Sequence, residues 1–388
     1  MNIGIIGFGT VGSGAYEIAK AATDINVKRI LARHGREGYE NLDDIITHNI
    51  EDLIEDKEID LVVEAIGGIE PARTYVLACL NAGKHVVTPN KNLISAYFEE
   101  LTETASRNGV ELRFTSTSGG GIPWLFNLMR TKRCDKITQV RGIVNGTCNY
   151  ILDSMYDKGA DFAEMLKIAQ DLGYAEADPS SDIEGTDTLR KTVISANIAF
   201  DALLKEEDIY CYGIDTIEAR DIAYLKEKGY TCKLLMNAKL TDAGIKAWVE
   251  PVACPLTSLE ANVKANNNLI TLVGESIGTQ SFYGQGAGRL PTGESVVQDV
   301  IDIRDGIKME YSEKNSKKYA ACSCDEVQKY YIRHNKMSED IMSFIEKYEE
   351  KEGVFYCISK PISVARMHDM GRHFKEEGKP MFFASIRE

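Results

Sequence analysis

From Met1 to about Arg113, short apolar runs alternate with longer stretches whose apolar residues recur at helical spacing. NIGII at the N-terminus, then VKRILAR, DLVVEAIGG, KHVVTPN and VELRFTS, have the length and β-branched content of buried strands. EPARTYVLACLNAG and NLISAYFEELTETASRNG carry the helical period between them. Such alternation predicts an α/β fold with a doubly wound parallel sheet, whose ligand sits beyond the C-terminal ends of the strands. Gly7, Gly67, Gly68, Asn90 and Lys91 fall along that rim.

From GGGIPWLFNL onward the pattern changes to longer helices and then strands, such as KLLMNAKL and LITLVGESIG. This marks a second, α+β domain. SVVQDVIDI reads as a later helix, and EVQKYYIRH, SEDIMSFIEKYEEK, VFYCISK, SVARMHDMGRHFKEEG and MFFASIR as a small C-terminal α/β appendage. The predicted boundaries are 1–125, 126–291 and 320–388, with a helix around 292–305 between the last two.

Two stretches carry chemistry. In NIGIIGFGTVGSGAYEIAKAA a strand runs into GxGxxG at Gly7, Gly9 and Gly12, followed by Thr10- and Val11-bearing turns of an amphipathic helix. Glycines there let backbone N–H groups and the helix N-terminus approach a pyrophosphate, which predicts dinucleotide binding. The second stretch, AQDLGYAEADPSSDIEGTDTLRK, gathers Glu176, Asp178, Asp182, Glu184, Asp187 and Lys191. Asp187 and Lys191 stand four apart in a segment of helical period and so share one helix face. Taken alone, such a pair is most often a surface ion pair of small consequence.

Composition narrows the function classes. A chain of 388 residues with a formal net charge of −14 is a poor partner for nucleic acid or an anionic membrane, which reward clustered Lys and Arg. Nine cysteines, an odd number without a metal-ligand spacing, predict reduced thiols in a cytoplasmic protein and no structural metal. No apolar stretch approaches membrane length.

Ala169, Gly173, Tyr174, Asp178, Pro179, Asp182, Gly185, Asp187 and Lys191 reproduce the signature of the homoserine dehydrogenase family, which this chain resembles. The resemblance continues in TPNK ending at Lys91, VNGTCNYIL around Gly146 and Thr147, and GQGAGRLPT spanning Gly288. It implies a Rossmann-like nucleotide domain to which the helix around 292–305 returns, a domain for substrate and dimerisation, and NAD(P)-dependent interconversion of L-homoserine and L-aspartate 4-semialdehyde. It also implies that Lys191 and Lys91 lie near the reacting carbonyl, either one serving as general acid/base, with Asp187 orienting the hydroxyl or a bridging water. Glu176 would bind the substrate's α-ammonium group and Asp182 shape its pocket, with Gly146, Thr147 and Tyr174 beside it. Gly7, Gly9, Thr10, Val11, Gly12, Gly67, Asn90, Lys91 and Gly288 would bind the cofactor. A homodimer or higher homo-oligomer follows from the same resemblance.

The segment after the second strand, ILARHGREG, offers Arg33, His34 and Arg36 and no acid before Glu37. NAD-specific folds place an acid there for the ribose hydroxyls, so NADP is expected over NAD, with Arg33 as the first contact. Three positions depart from the family pattern. Thr115 replaces an acid that in relatives helps bind a monovalent cation, so no cation is expected with assurance from this turn; Glu294 replaces a small polar residue; and HNKMSED lacks the Asp and Gly by which the amino-acid-sensing ACT domains of some relatives cradle an effector. The order of C-terminal elements is compatible with a degenerate ACT-like fold. Two further readings share these residues: an oxidoreductase for a related semialdehyde, and a catalytically silent nucleotide- and amino-acid-binding regulator. Joint retention of Asp187, Lys191, Lys91 and Glu176 favours catalysis.

Overall fold

The computed structural model describes residues 1–32, 42, 44–309, 311, 319–337, 339–379 and 381–387. The chain divides into two compact units, Met1–Cys134 with Asn197–Leu203 and Gly284–Lys318, and Asp135–Ala196 with Leu204–Tyr283 and Tyr319–Glu388.

In the first unit, β1 (Asn2–Ile6), β2 (Asn26–Leu31), β3 (Ile46–Thr47), β4 (Leu61–Glu64), β5 (His85–Val87) and β6 (Leu112–Arg113) form one sheet in the order β3-β2-β1-β4-β5-β6. Every neighbouring pair is parallel. Helices α1 (Thr10–Ala21), α2 (Glu51–Ile54), α3 (Ala72–Asn81), α4 (Lys91–Asn108) and α5 (Trp124–Lys132) follow in chain order. β3 and α2 are elements that the hydrophobic pattern does not single out, because each is too short to show a period. Ile3, Ile5, Ile30, Leu61, Val63 and Val87 form a core with Ala15 and Ala19 of α1 and Val296, Val297 and Val300 of a helix at Arg289–Arg304. Those two helices meet backbone to backbone: a Cβ on Gly14 would lie 2.1 Å from the Arg289 carbonyl oxygen. Only glycine permits that approach. The helix read from SVVQDVIDI thus packs in this unit.

The second unit holds an eleven-stranded sheet. Its strands are β7 (Ile137–Ile143), β8 (Tyr210–Cys211), β9 (Tyr230–Thr241), β10 (Gly244–Pro255), β11 (Asn267–Gly274), β12 (Gly278–Gln285), β13 (Val327–His334), β14 (Ile345–Lys351), β15 (Val354–Ser359), β16 (Ile362–Ser363) and β17 (Phe382–Ile386). The order is β12-β11-β7-β9-β10-β17-β13-β15-β14, with β16 beside β13 and β8 beside β10. Helices α6 (Gly146–Lys158), α7 (Phe162–Asp171), α8 (Ser180–Ile183), α9 (Thr186–Phe200) and α10 (Ala219–Glu227) belong to the stretch between β7 and β9. SEDIMSFIEKYEEK divides into a short helix, Glu339–Phe344, and strand β14. The C-terminal strands continue the sheet of the preceding ones, because β17 runs parallel to β10 with Val252 opposite Ser385.

Buried polar groups tie these strands together. Glu250 of β10 accepts from Trp248 Nε1 at 3.0 Å, Gln328 Nε2 at 3.2 Å, Tyr330 Oη at 3.2 Å and His368 Nε2 at 3.0 Å. Asp221 of α10 accepts from Arg333 Nε at 2.8 Å and Tyr331 Oη at 2.7 Å, and burial still pushes its carboxyl up to about 6. No helix among the described residues is long and apolar enough to cross a membrane, and no group of three or more His, Cys, Asp or Glu among them could hold a metal ion.

Candidate active site

The first unit presents a phosphate cradle. β1 ends at Ile6, and Gly7 turns the chain with φ +93°, a conformation that side chains disfavour. A Cβ on Gly12 would lie 2.1 Å from the Gly7 carbonyl oxygen, so the loop can close on the helix only with glycine there. Gly9 is the N-cap of α1 and supplies no side chain to it. The N–H groups of Thr10, Val11 and Gly12 therefore open the helix without a capping oxygen, at the positive end of its dipole. This concave turn, which a Cβ would fill, fits the pyrophosphate of a dinucleotide.

Beside it, β4 and β5 end at Glu64 and Val87. Asn90 caps α4: its Oδ1 accepts from Leu93 N at 3.2 Å, and its Nδ2 donates to the Gly68 carbonyl at 2.7 Å. The cap makes Lys91 the first residue of the helix and links it to the turn bearing Gly67. Gly288, with φ +129°, is the N-cap of the helix at Arg289–Arg304. Arg33 lies outside the described residues.

Thr115 is buried at the start of the turn after β6, and its backbone N donates to Asp299 Oδ2 at 3.0 Å. Burial pushes the Asp299 carboxyl up to about 7, against the opposing pull of its Thr115 hydrogen bonds and of the Arg113 charge. Glu294, the other unusual residue, is exposed.

The second unit holds the ionic cluster. Thr186 begins α9, which puts Asp187 and Lys191 one turn apart on a helix whose next residues are fully buried. The pair is not a surface one: Asp187 is 4% exposed and Lys191 8%. Lys191 Nζ donates to Asp187 Oδ2 at 2.8 Å and to the Val144 carbonyl at 2.7 Å. Those two acceptors fix the ammonium in place and leave it a third hydrogen. Asn145 Nδ2 donates to Asp187 Oδ2 and to Asp182 Oδ1, each at 2.7 Å. One side-chain amide thus joins both carboxylates to the lysine.

Asn145 is absent from the residues singled out in the sequence. Its signal was there, since an Asn directly before Gly-Thr at a strand-to-helix junction is a favoured N-cap. Its Oδ1 accepts from Cys148 N at 2.8 Å and so caps α6, which Gly146 and Thr147 open. Thr147 Oγ1 donates to the Tyr174 carbonyl at 2.5 Å, and the Tyr174 ring stands edge-on to Tyr150 with centroids 5.1 Å apart. Glu176 is exposed two residues later, its backbone carbonyl accepting from Gln170 Nε2 at 3.1 Å. Lys191, Asp187, Asp182, Gly146, Thr147 and Tyr174 are therefore interconnected through Asn145 and α6, whereas the Glu176 side chain projects into solvent beside them.

Comparison with known proteins places this arrangement. Residues 123–301 match the sequence model of homoserine dehydrogenase, and residues 7–115 that of the homoserine dehydrogenase NAD-binding domain. The chain is 37% identical to the homoserine dehydrogenase of Bacillus subtilis over 80% of its own length and 74% of that protein. With the Corynebacterium glutamicum enzyme it shares 41% identity over 78% of its length and 71% of that protein. A crystal structure of a homoserine dehydrogenase from Thiobacillus denitrificans superposes with a TM-score of 0.89 at 31% identity, covering 100% of this chain and 98% of that one. The Staphylococcus aureus enzyme superposes with a TM-score of 0.76 at 26% identity, again over 100% and 98%. The chain belongs to the homoserine dehydrogenase family.

Proposed function

We propose that the chain interconverts L-homoserine and L-aspartate 4-semialdehyde, with NADP preferred over NAD. The observation that carries this reading is the buried Lys191–Asp187 pair, joined by Asn145 to Asp182. A bound nicotinamide supplies the hydride acceptor for oxidation and the donor for reduction. When a hydride leaves C4 of homoserine, the hydroxyl proton must leave as well, and Lys191 Nζ, which enters this direction as the neutral amine and ends as the ammonium, is the group that takes it. In reduction the same nitrogen returns a proton to the aldehyde oxygen as negative charge develops there.

The two acceptors of Lys191 give this proton transfer its direction, because the ammonium cannot swing away without abandoning the Val144 carbonyl and Asp187. Lys91, fixed at the first turn of α4 by its Asn90 cap, is the second acid/base candidate and a contact for the nucleotide. Asp187 orients the reacting hydroxyl. Glu176 pairs with the α-ammonium group, and its exposure suits a residue that meets an amino acid arriving from solvent. Asp182, Gly146, Thr147 and Tyr174 wall the substrate. The glycine turn holds the pyrophosphate, with Gly67, Asn90 and Gly288 along the same ligand.

The nucleotide preference rests on the residues after β2, where Arg33 offers a guanidinium to a 2′-phosphate and no acid precedes Glu37. Both parts are tested by the reduced-nicotinamide absorbance of purified protein given L-homoserine with NADP and then NAD. Turnover with both and a higher kcat/KM for NADP is expected, with Arg33→Ala removing most of that advantage. Nucleotide binding without turnover in either direction overturns the reaction, and an equal or higher kcat/KM for NAD overturns the preference.

A further inference from the structure

Glu64, the last residue of β4, is fully buried and has no part in the chemistry above. Its surroundings are unusual for a carboxylate, because the donors it meets are uncharged. Oε1 accepts from the backbone N of Ile66 at 2.8 Å and of Gly67 at 3.1 Å. Oε2 accepts from Thr88 Oγ1 at 2.5 Å. Thr88 Oγ1 in turn accepts from Asn90 N at 3.0 Å, Asn90 Nδ2 donates to the Gly68 carbonyl at 2.7 Å, and Asn90 Oδ1 caps α4. The chain of hydrogen bonds leaves β4, crosses to the end of β5, and ends at the helix turn that begins with Lys91.

We infer that Glu64 is a positioning residue: with one carboxylate oxygen on the 65–68 turn and the other on Thr88, it fixes where α4 starts, and so where Asn90 and Lys91 stand. The inference deepens the proposed reaction and rests on it. A leucine of similar volume would fill the space with more apolar burial, but could not receive two N–H groups and a hydroxyl together. Burial pushes the Glu64 carboxyl up, and the Thr88 hydroxyl, the two backbone donors and the Asn90 amide pull it down. Deleting one oxygen's acceptor role strands a buried donor on one of the two turns, and the turn then shifts to recover a partner. Small displacements of positioned groups are expensive in rate: about 1 Å can cost roughly a hundredfold.

The test uses Glu64→Gln, Thr88→Val and Thr88→Ser in the full chain, with kcat, both KM values, NADPH affinity by nucleotide fluorescence, and melting temperature. Glu64→Gln and Thr88→Val should each lower kcat about tenfold or more while leaving the homoserine KM nearly unchanged. The double variant should be no worse than the poorer single one, since both break one path, and Thr88→Ser should restore wild-type kcat. A lowered melting temperature with unchanged kcat would make Glu64 merely structural and overturn the inference. So would losses that multiply in the double variant. If Glu64→Gln fails to fold, the comparison of Thr88→Val with Thr88→Ser decides alone. A wild-type protein that binds NADPH but never turns over homoserine sinks the reaction instead, and Glu64 is then judged by whether the variants weaken NADPH binding.

Discussion

Replacing Lys191 by Met keeps the aliphatic stem and deletes the ammonium, which separates the two things this residue does. Structurally, Asp187 Oδ2 keeps the bond from Asn145 Nδ2 and loses that from the ammonium, and the Val144 carbonyl, 2.7 Å from Nζ in the native protein, loses this donor. The direct Coulomb attraction across 2.8 Å is about 6 kcal/mol at an effective dielectric constant of about 20, most of it offset by the desolvation of both ions. Breaking a buried pair by removing one partner typically costs about 3–5 kcal/mol. Because Asn145 continues to serve Asp187, the lower end applies, about 3 kcal/mol. Chemically, loss of a general acid/base lowers kcat by roughly 10²–10⁴. The companion variant Lys191→Met/Asp187→Asn removes the stranded charge and should regain about 2 kcal/mol without regaining turnover. Urea unfolding and initial rates at saturating substrates measure the two effects. A kcat for Lys191→Met within tenfold of wild type refutes the proton-transfer role. Recovery of activity in the double variant refutes it as well, since the loss would then have come from the stranded carboxylate.

Two other predictions concern the first unit. Asp299 binds its proton more tightly folded than unfolded, with its carboxyl pushed from 3.8 up to about 7, so its contribution is fully present below about pH 4 and falls as pH rises through 7. A shift of that size is worth roughly 4 kcal/mol, so Asp299→Asn should gain melting temperature relative to wild type at pH 8 compared with pH 5, and an equal difference at both pH values would discard the reasoning. Gly12→Ala forces a Cβ to 2.1 Å from the Gly7 carbonyl oxygen, which the turn can relieve only by opening. NADPH fluorescence titration should show about tenfold weaker binding or worse, and an unchanged Kd would show that the turn does not hold the nucleotide.

The nucleotide sheet was largely legible because most of its strands and helices obey a local rule. Apolar runs of strand length alternate with helical periods, and a glycine turn stands at the first junction, so topology follows from right-handed crossovers with little left to choose. β3 and α2 escaped because two and four residues are too few to show a period. The second unit was less legible for a different reason. β9 is buried along most of its length on both faces, which erases the alternation that marks a half-exposed strand, and the pairing of β17 with β10 joins residues more than a hundred apart. No local signal sets such a contact. SEDIMSFIEKYEEK, likewise, mixes a helix with a strand whose outward side chains are nearly all exposed, and its charges read equally as either.

The acidic cluster shows where a sequence stops informing on a site. Asp187 and Lys191 at four-residue spacing are chemically identical to any exposed ion pair, and what distinguishes them is burial, a property of the surroundings rather than of the pair. Asn145 and the Val144 carbonyl help make that burial tolerable, each bonding to one member of the pair. Glu64 is the same case in a sharper form. In sequence it is an acid at the end of an apolar strand and has no charged partner at helical or strand spacing, because two of its hydrogen-bond donors are main-chain N–H groups, which every residue but proline carries. A backbone donor leaves no trace in residue identity. Carboxylates held by side chains can be sought by pairing charges along the chain, whereas those held by turns are found only once the turn has a shape, and in this protein the second kind sits directly behind the residues proposed to meet the nucleotide.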